Sequence, residues 1–162
     1  MKGVIMSRNI ENTERTSRQR IAVDLDGTLI FNPNPFETET PSLRTGAIRL
    51  LEGLKNTGSE VVLYTSASRE WVDYVFRLFP QMESLFENVF CKENTPAERR
   101  SRGIKDPAII GADIFIDNYI DSSIQAKLGS RAIQVTGVGF SDSESDQWAI
   151  DTLNKVNEIL GR

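Results

Sequence analysis

Five short apolar runs occur along the chain, and most are followed by a segment with helical periodicity. The runs lie at residues 21–25, 61–64, 89–91, 114–116 and 132–135. Each has the length of one buried strand. Apolar residues at helical spacing, together with cap and stop signals, predict helices over about 43–57, 68–78, 119–128 and 145–160.

Strands that alternate with helices in this way predict βαβ units and a parallel sheet with helices on both faces. The expected fold class is therefore α/β. We expect a three-layer αβα sandwich around a doubly wound, mainly parallel, five-stranded Rossmann-like sheet.

The remaining segments predict loops and one peripheral arm. Residues 1–18 are mostly polar and show no sustained period, so we expect a flexible N-terminal arm there. Residues 31–42 contain several prolines and predict a loop, whereas 92–106 are charged and lack a core-facing stripe. A chain of 162 residues suits one folded domain, which we place over 19–162.

Composition removes several classes of chemistry. The chain has no histidine, which excludes Ser-His and Cys-His catalysis and histidine metal sites. Cys91 is the single cysteine, so no internal disulfide can form, and a reducing, cytoplasmic setting is the simplest expectation. The net charge of −4 argues against binding nucleic acid by bulk charge. No apolar run suits a signal or membrane segment, and we expect no membrane partner.

Three of the five apolar runs end in residues that can perform chemistry. These residues are Asp24, Asp26, Gly27 and Thr28 at the end of the first run, Thr65 and Ser66 after the second, and Asp117, Asn118 and Asp121 after the fourth. In a doubly wound sheet, ligands bind beyond the carboxyl ends of the strands. We therefore expect these side chains to surround one cavity.

Carboxylates gathered at strand ends predict a cation, because like charges a few ångströms apart repel and raise each other's pKa. Mg²⁺ suits one or two carboxylates with a backbone carbonyl, waters and a substrate phosphate. The sequence predicts Asp24 and Asp117 as carboxylate ligands and the backbone carbonyl of Asp26 as another. Asn118 and Asp121 are further candidates.

The same residues can act on a phosphate ester. A carboxylate such as Asp24 is a nucleophile toward phosphorus and forms an acyl phosphate. Asp26 is placed to protonate the leaving oxygen and then to deprotonate the hydrolytic water.

The other polar residues at the strand ends are candidates to bind the substrate. Gly27 permits a sharp exit of the chain from its strand, and Thr28 follows it. Thr65 can donate its hydroxyl and its backbone N–H to a phosphate oxygen, with Ser66 beside it. A lysine near the site would neutralise the equatorial oxygens.

These motifs resemble those of haloacid dehalogenase (HAD) phosphatases over about residues 19–136. The sequences DLDGTL at 24–29, VVLYTS at 61–66 and FIDNYID at 115–121 resemble motifs I, II and IV of that superfamily. The resemblance implies that Asp24 is the nucleophile, Asp26 the acid–base and Thr65 a phosphate-binding hydroxyl. It also implies a motif III lysine, for which Lys105 is the best candidate and Lys92 the runner-up.

Within the superfamily, the segment YTSASREWVDYV and the IDN sequence resemble the FCP/SCP group of C-terminal-domain phosphatases. The segments after motif I and after the third strand are too short for a large cap. A capless, open site suits a large substrate. A phosphoprotein, a nucleotide and a 3′-phosphorylated nucleic-acid end all remain candidates.

Simpler interpretations of the same residues stay open. Thr65 and Asp117 can act as caps, and Asp121 can favour the start of its helix. Trp71 and Trp148 are expected in or beside the core. A catalytically silent HAD-fold binding module is the alternative function, and a receiver-like domain phosphorylated on aspartate is another.

Overall fold

The computed structural model of the protein describes residues 18–31, 40–96, 105–137 and 145–162. The strands are β1 Arg20–Val23, β2 Ile30–Phe31, β3 Ser42–Leu43, β4 Glu60–Tyr64, β5 Asn88–Phe90, β6 Ile114–Asp117 and β7 Ala132–Gln134. The α-helices are α1 Ala47–Asn56, α2 Arg69–Leu78, α3 Pro80–Glu83, α4 Ser122–Leu128 and α5 Gln147–Ile159. Single 3₁₀ turns cover Lys92–Asn94 and Gly129–Arg131.

Five strands form one parallel sheet in the order β5-β4-β1-β6-β7. The chain runs outward from β1 through β4 to β5, and then returns to β6 on the other side of β1. The strand order therefore reverses between β1 and β6, and ligands of doubly wound sheets bind at such a crevice. The predicted five-stranded Rossmann-like sheet is confirmed.

Both faces of the sheet are covered, because the buried strands are apolar on both sides. Ile21 and Val23 of β1 face a core formed with α1, α2 and α5. Ala22, between them, faces a second core that includes Ile124 of α4 and Ile110 of a nearby turn. This arrangement confirms the predicted three-layer αβα sandwich.

The segment predicted as a loop over 31–42 contains a short antiparallel pairing. Ile30 pairs with Leu43, and Phe31 with Ser42. Two-residue strands have no detectable period, which is why the sequence gives no sign of them. The predicted helix start at 43 was also wrong, because Leu43 is committed to this pairing and α1 begins after Gly46, whose φ is +87°.

Helix boundaries elsewhere differ from prediction by a few residues. Helix α4 begins at Ser122 rather than 119, because the Asp121 side chain accepts a hydrogen bond from the backbone N–H of Ile124 and caps the helix. The prediction missed α3, which a proline at its start separates from α2. Ser68 caps α2 as predicted, by accepting from the Trp71 backbone N–H.

The predicted N-terminal arm lies outside the described residues except for Arg18. The Arg18 guanidinium makes two hydrogen bonds to the carboxylate of Glu87, at 3.0 and 2.6 Å. Most of the charged stretch 92–106 also lies outside them. Cys91 is buried. In the described part of the chain, no helix is long and apolar enough to span a membrane.

Candidate active site

Two buried acids stand side by side at the carboxyl ends of β1 and β6. Val23 pairs with Ile116, so the next residues, Asp24 and Asp117, lie level with each other across the crevice. The backbone N–H of Asp24 donates to the Ile116 carbonyl at 2.9 Å, which extends the pairing by one residue. Asp24 is 4% exposed and Asp117 is 3% exposed. The strand register thus forces the two carboxylates together.

Lys105 connects the two carboxylates. Its ammonium Nζ donates to Asp24 Oδ1 in a short contact, and to Asp117 Oδ2 at 2.8 Å. Burial alone would lower the pKa of Lys105, but the two carboxylates outweigh it and hold that pKa above its usual value. The structure thus places Lys105, the first candidate for the motif III lysine, in the site. Lys92 lies exposed in the 3₁₀ turn after β5.

The backbone beside Lys105 is anchored to the sheet. The Tyr64 hydroxyl accepts from the Asp106 backbone N–H at 2.9 Å and donates to the Asp106 carbonyl at 3.3 Å. The Asp106 carboxylate in turn accepts from Lys127 Nζ at 2.9 Å and from the Ala108 N–H at 3.1 Å. These bonds fix the point from which the Lys105 side chain reaches the carboxylates.

The carboxylates of Asp24 and Asp117 carry more negative charge than Lys105 neutralises. One ammonium faces two carboxylates, so one negative charge stays uncompensated. Burial and the repulsion of Asp24 raise the pKa of Asp117 to about 6, against the opposing effect of Lys105. Asp117 Oδ1 also accepts from the Tyr119 backbone N–H at 3.1 Å, which holds its carboxylate in place.

A tight loop after β1 orients Asp24 from behind. The fully buried Thr28 hydroxyl donates to Asp24 Oδ2 at 2.9 Å and accepts from the Asn118 backbone N–H at 3.0 Å. Gly27 has a φ of +80° and donates its N–H to the Ile30 carbonyl at 2.9 Å. Gly27 and Thr28, predicted to bind substrate, therefore lie behind the carboxylates and do not line the cavity.

The side-chain amide nitrogen of Asn118 faces the carboxylates of Asp24 and Asp117. In that orientation the nitrogen donates to Asp117 Oδ1 at 2.8 Å and to Asp24 Oδ2 at 3.1 Å. The sequence predicted that Asn118 would offer an oxygen to a metal ion. In this arrangement its amide would have to turn over to do so.

Asp26 is held by an indole that the sequence placed only in or beside the core. Trp71 Nε1–H, in the first turn of α2, donates to Asp26 Oδ1 at 3.0 Å. Burial raises the pKa of Asp26, and the nearby Asp24 charge adds to it, while the Trp71 hydrogen bond opposes the shift. A carboxyl group that retains a proton more readily than usual can act as a general acid.

Thr65 and Ser66 stand at the end of β4, beside the acids. The Thr65 backbone N–H donates to the Phe90 carbonyl at 3.0 Å as part of the sheet, so it does not serve a phosphate as the sequence suggested. The Thr65 hydroxyl oxygen accepts from the Ala67 N–H at 3.1 Å, which leaves its hydrogen to donate. Thr65 is buried and Ser66 is exposed at the mouth.

These groups open into one cavity of about 430 Å³. Its lining comprises Asp24, Asp26, Thr65, Ser66, Lys105, Asp117, Asn118, Tyr119, Asp121 and Ile124. Asp121 is present at the wall, but its Oδ1 is used to cap α4. Tyr119, whose side chain is mostly exposed at the rim, was not among the predicted site residues. Its position directly after the Asp117-Asn118 pair was the available signal.

The donor chemistry of the cavity fits Mg²⁺. Two buried carboxylates, those of Asp24 and Asp117, face it with a surplus negative charge that a divalent cation would neutralise. The described residues contain no cluster of three or more acidic or sulfur side chains suited to a metal ion. A site with two carboxylates matches an ion that keeps several waters and binds substrate phosphate.

Comparisons with known proteins agree with this architecture at the level of fold. No protein-family model matches the sequence, and a search of the curated proteins finds no match. Among solved structures, a variant of fission yeast RNA polymerase II CTD phosphatase Fcp1 bound to beryllium fluoride is similar, with a TM-score of 0.52 and 16% identity. The match covers 88% of this chain and 49% of that chain.

Two further structures are similar over parts of the chain. A second Fcp1 structure has a TM-score of 0.49 and 16% identity over 88% of this chain and 49% of that one. A 3-deoxy-D-manno-octulosonate 8-phosphate phosphatase from Moraxella catarrhalis has a TM-score of 0.39 and 19% identity, over 71% and 64%. The chain spans about half the length of the Fcp1 chains it matches. The likeness to the first Fcp1 structure shows a shared fold, which agrees with the predicted α/β sandwich.

Proposed function

We propose that this protein is a HAD-type phosphatase that hydrolyses a phosphomonoester through an aspartyl-phosphate intermediate on Asp24. One observation carries the proposal. The Asp24 carboxylate is held at one oxygen by Thr28 and at the other by Lys105, in a cavity that also contains Asp26 and Thr65. Nucleophilic phosphoryl transfer uses an oriented carboxylate with a general acid and a cation beside it.

The first half-reaction transfers the phosphoryl group to Asp24. A carboxylate oxygen of Asp24 attacks phosphorus, the bond from phosphorus to the ester oxygen breaks, and Asp26 gives that oxygen its proton. The raised pKa of Asp26, caused mainly by burial, supports this role because it favours the protonated form of the carboxyl group. The leaving alcohol then departs.

The second half-reaction releases phosphate. Asp26, now a carboxylate, takes a proton from a water molecule that attacks the phosphorus of the aspartyl phosphate. The bond between phosphorus and the Asp24 oxygen breaks, which returns Asp24 to its carboxylate form and frees inorganic phosphate. Asp26 regains its proton in the same step, so the cycle closes without another acid or base.

Lys105 and Thr65 are proposed to hold the transferring group. The Lys105 ammonium already contacts Asp24, so it lies where the equatorial phosphate oxygens would collect negative charge. The Thr65 hydroxyl can donate its hydrogen to one of these oxygens, and Ser66 stands at the mouth.

Mg²⁺ is the proposed cofactor, with the Asp24 and Asp117 carboxylates and the Asp26 backbone carbonyl as its protein ligands. When bound, it would neutralise the surplus charge of the two acids and shield the nucleophile from an anionic substrate. Asn118 and Asp121 are secondary candidates as ligands, since both line the cavity.

The substrate class is proposed as a phosphomonoester on a phosphoprotein, a nucleic-acid end or a nucleotide. The shared fold with Fcp1, a phosphatase of the RNA polymerase II CTD, favours a phosphoprotein among these. The groups inside the cavity would bind the phosphate of the substrate. The leaving group would contact the rim of the cavity, where Tyr119 is exposed. A panel of these three substrate types compared at equal concentration ranks them.

The proposal is tested by measuring phosphate release from 4-nitrophenyl phosphate with Mg²⁺ and with a chelator. We expect turnover that depends on Mg²⁺ and is abolished by Asp24→Asn. Asp151→Asn is the matched control, because it makes the same change at an exposed position of α5. Turnover that survives Asp24→Asn would rule the proposal out.

A further inference from the structure

Trp71 offers Asp26 a hydrogen bond of a kind that restricts where the Asp26 proton can lie. The indole Nε1–H is a donor only and has no acceptor site. It contacts Asp26 Oδ1 at 3.0 Å, so that oxygen must accept. A carbonyl oxygen is a better acceptor than a hydroxyl oxygen, so this bond favours placing the proton of a protonated Asp26 carboxyl on the other oxygen, Oδ2.

The position of Trp71 is itself well determined. Its backbone N–H donates to the Ser68 hydroxyl at 3.2 Å in the first turn of α2, which begins after the short loop that carries Thr65 and Ser66. Its ring packs against the main core and against Tyr74, with ring centroids 5.6 Å apart. The indole ring is thus held by the core, and its N–H points at the Asp26 carboxyl group.

We propose that Trp71 is a positioning residue for the general acid, fixing the Asp26 carboxyl so that Oδ2 presents its proton to the leaving oxygen. The inference rests on the proposed phosphatase function and adds a residue that lies outside motifs I, II and IV. Trp71 does not touch the reacting atoms. Its effect reaches them only through Asp26.

A positioning role of this kind predicts a dependence on the leaving group. A poor leaving group needs its proton at the moment the bond to phosphorus breaks, whereas a good one leaves as an anion. Loss of the indole N–H must therefore slow hydrolysis of phenyl phosphate far more than that of 4-nitrophenyl phosphate. A merely structural defect would slow both equally.

The experiment compares kcat for the two substrates in Trp71→Phe and in Tyr74→Phe. For Trp71→Phe we expect a loss on the order of 10²-fold on phenyl phosphate and only a few-fold on 4-nitrophenyl phosphate, since general acids contribute about 10²–10⁴-fold. Tyr74→Phe keeps the ring beside Trp71 and should leave the ratio of the two rates unchanged. Equal losses on both substrates in Trp71→Phe would overturn the inference.

A double-mutant cycle separates action through Asp26 from any other effect. In an Asp26→Asn background, Trp71→Phe should produce no further loss on phenyl phosphate. A further loss of the same size would show that Trp71 acts elsewhere and would overturn the inference. If the unmodified protein shows no Asp24-dependent turnover, the proposed function has failed, a result distinct from either outcome above.

A second measurement does not require the Trp71→Phe protein to fold. The chain has two tryptophans, and the other indole, Trp148, donates to the Thr45 carbonyl at 2.7 Å. We expect Asp26→Asn to move the indole N–H resonance of Trp71 and leave that of Trp148 in place. A Trp71 resonance that stays unmoved would overturn the inference.

Discussion

Asp24 and Asp117 stand level at the ends of neighbouring parallel strands, and a single ammonium, that of Lys105, bonds to both. The backbone register fixes their proximity, because the pair Val23–Ile116 immediately precedes them. Their mutual repulsion therefore follows from the sheet, and Lys105 neutralises only one of the two charges.

Replacing Lys105 should separate the two lysine candidates for the motif III role. Lys105→Met removes the charge beside the transferring phosphate, and we expect kcat to fall on the order of 10²–10³-fold, as for other transition-state donors. Lys92→Met makes the same change at an exposed position outside the cavity and should leave kcat unchanged. Steady-state phosphate release measures both. The assignment is wrong if Lys92→Met proves the more damaging change.

Gly27 should not tolerate a side chain, both because its φ is positive and because a side chain there would collide with Asn118. A Cβ there would lie 2.7 Å from the Asn118 side-chain amide, which bonds to both acids. Gly58 has the same φ of +80°, and no atom of the described residues lies within 4 Å of a Cβ added there. Both alanine variants should lose about 1–2 kcal/mol of stability from the left-handed backbone.

Only Gly27→Ala should also lose activity, on the order of 10²-fold, because displacement of catalytic groups by an ångström has effects of that size. Chemical denaturation and phosphate release, measured on both variants, separate the two effects. If Gly58→Ala loses as much activity as Gly27→Ala, the damage arises from general instability and not from Asn118.

The Thr28 hydroxyl should affect both stability and rate. Thr28→Val is nearly isosteric, but it removes the donor to Asp24 Oδ2 and the acceptor of the Asn118 N–H, and we expect a loss of about 1–3 kcal/mol for buried groups left unpaired. Thr57→Val removes a buried hydroxyl that bonds to the Leu54 carbonyl and to Ser59, far from the cavity.

We expect both threonine variants to unfold at lower urea concentration. Only Thr28→Val should reduce kcat, since Asp24 then loses one of the bonds that orient it. An unchanged kcat in Thr28→Val would show that the hydroxyl does not orient the nucleophile.

Binding of Mg²⁺ should weaken in acid. Without a divalent ion the pKa of Asp117 is raised to about 6, so below that pH a proton occupies the carboxylate that the ion needs. The affinity for Mg²⁺ therefore rises as the pH rises towards 6 and levels off above it. Each pH unit below 6 should weaken the apparent affinity about tenfold for one displaced proton. Calorimetric titration with Mg²⁺ between pH 5 and 7.5 measures this, and a constant affinity across that range would contradict it.

The sheet and the cavity were predictable because apolar runs and strand-end polar residues are local features of the sequence. Asp24 lies at the end of such a run, whereas Thr65 and Asp117 each directly follow one. The reversal of strand order brings these ends together. The β2–β3 pairing was not predictable, since two residues per strand carry no period.

Other parts of the site depend on contacts between distant residues. Trp71 lies 45 positions from Asp26, and its apolar ring gave it the appearance of a core residue on a helix with an apolar stripe. The displacement of Gly27 and Thr28 to a place behind the acids follows from the hydrogen bonds of one tight loop. The orientation of the Asn118 amide likewise depends on neighbours brought together only by folding.

The most direct test of the account is to identify the residue that carries phosphate during turnover. The protein is mixed with a radiolabelled phosphomonoester and Mg²⁺, quenched in acid within the first turnover, digested and sequenced by mass spectrometry. The account predicts label on Asp24 as an acyl phosphate, absent from Asp24→Asn and present in Asp151→Asn. Label on another residue, or turnover of the substrate without any labelled protein, would contradict it.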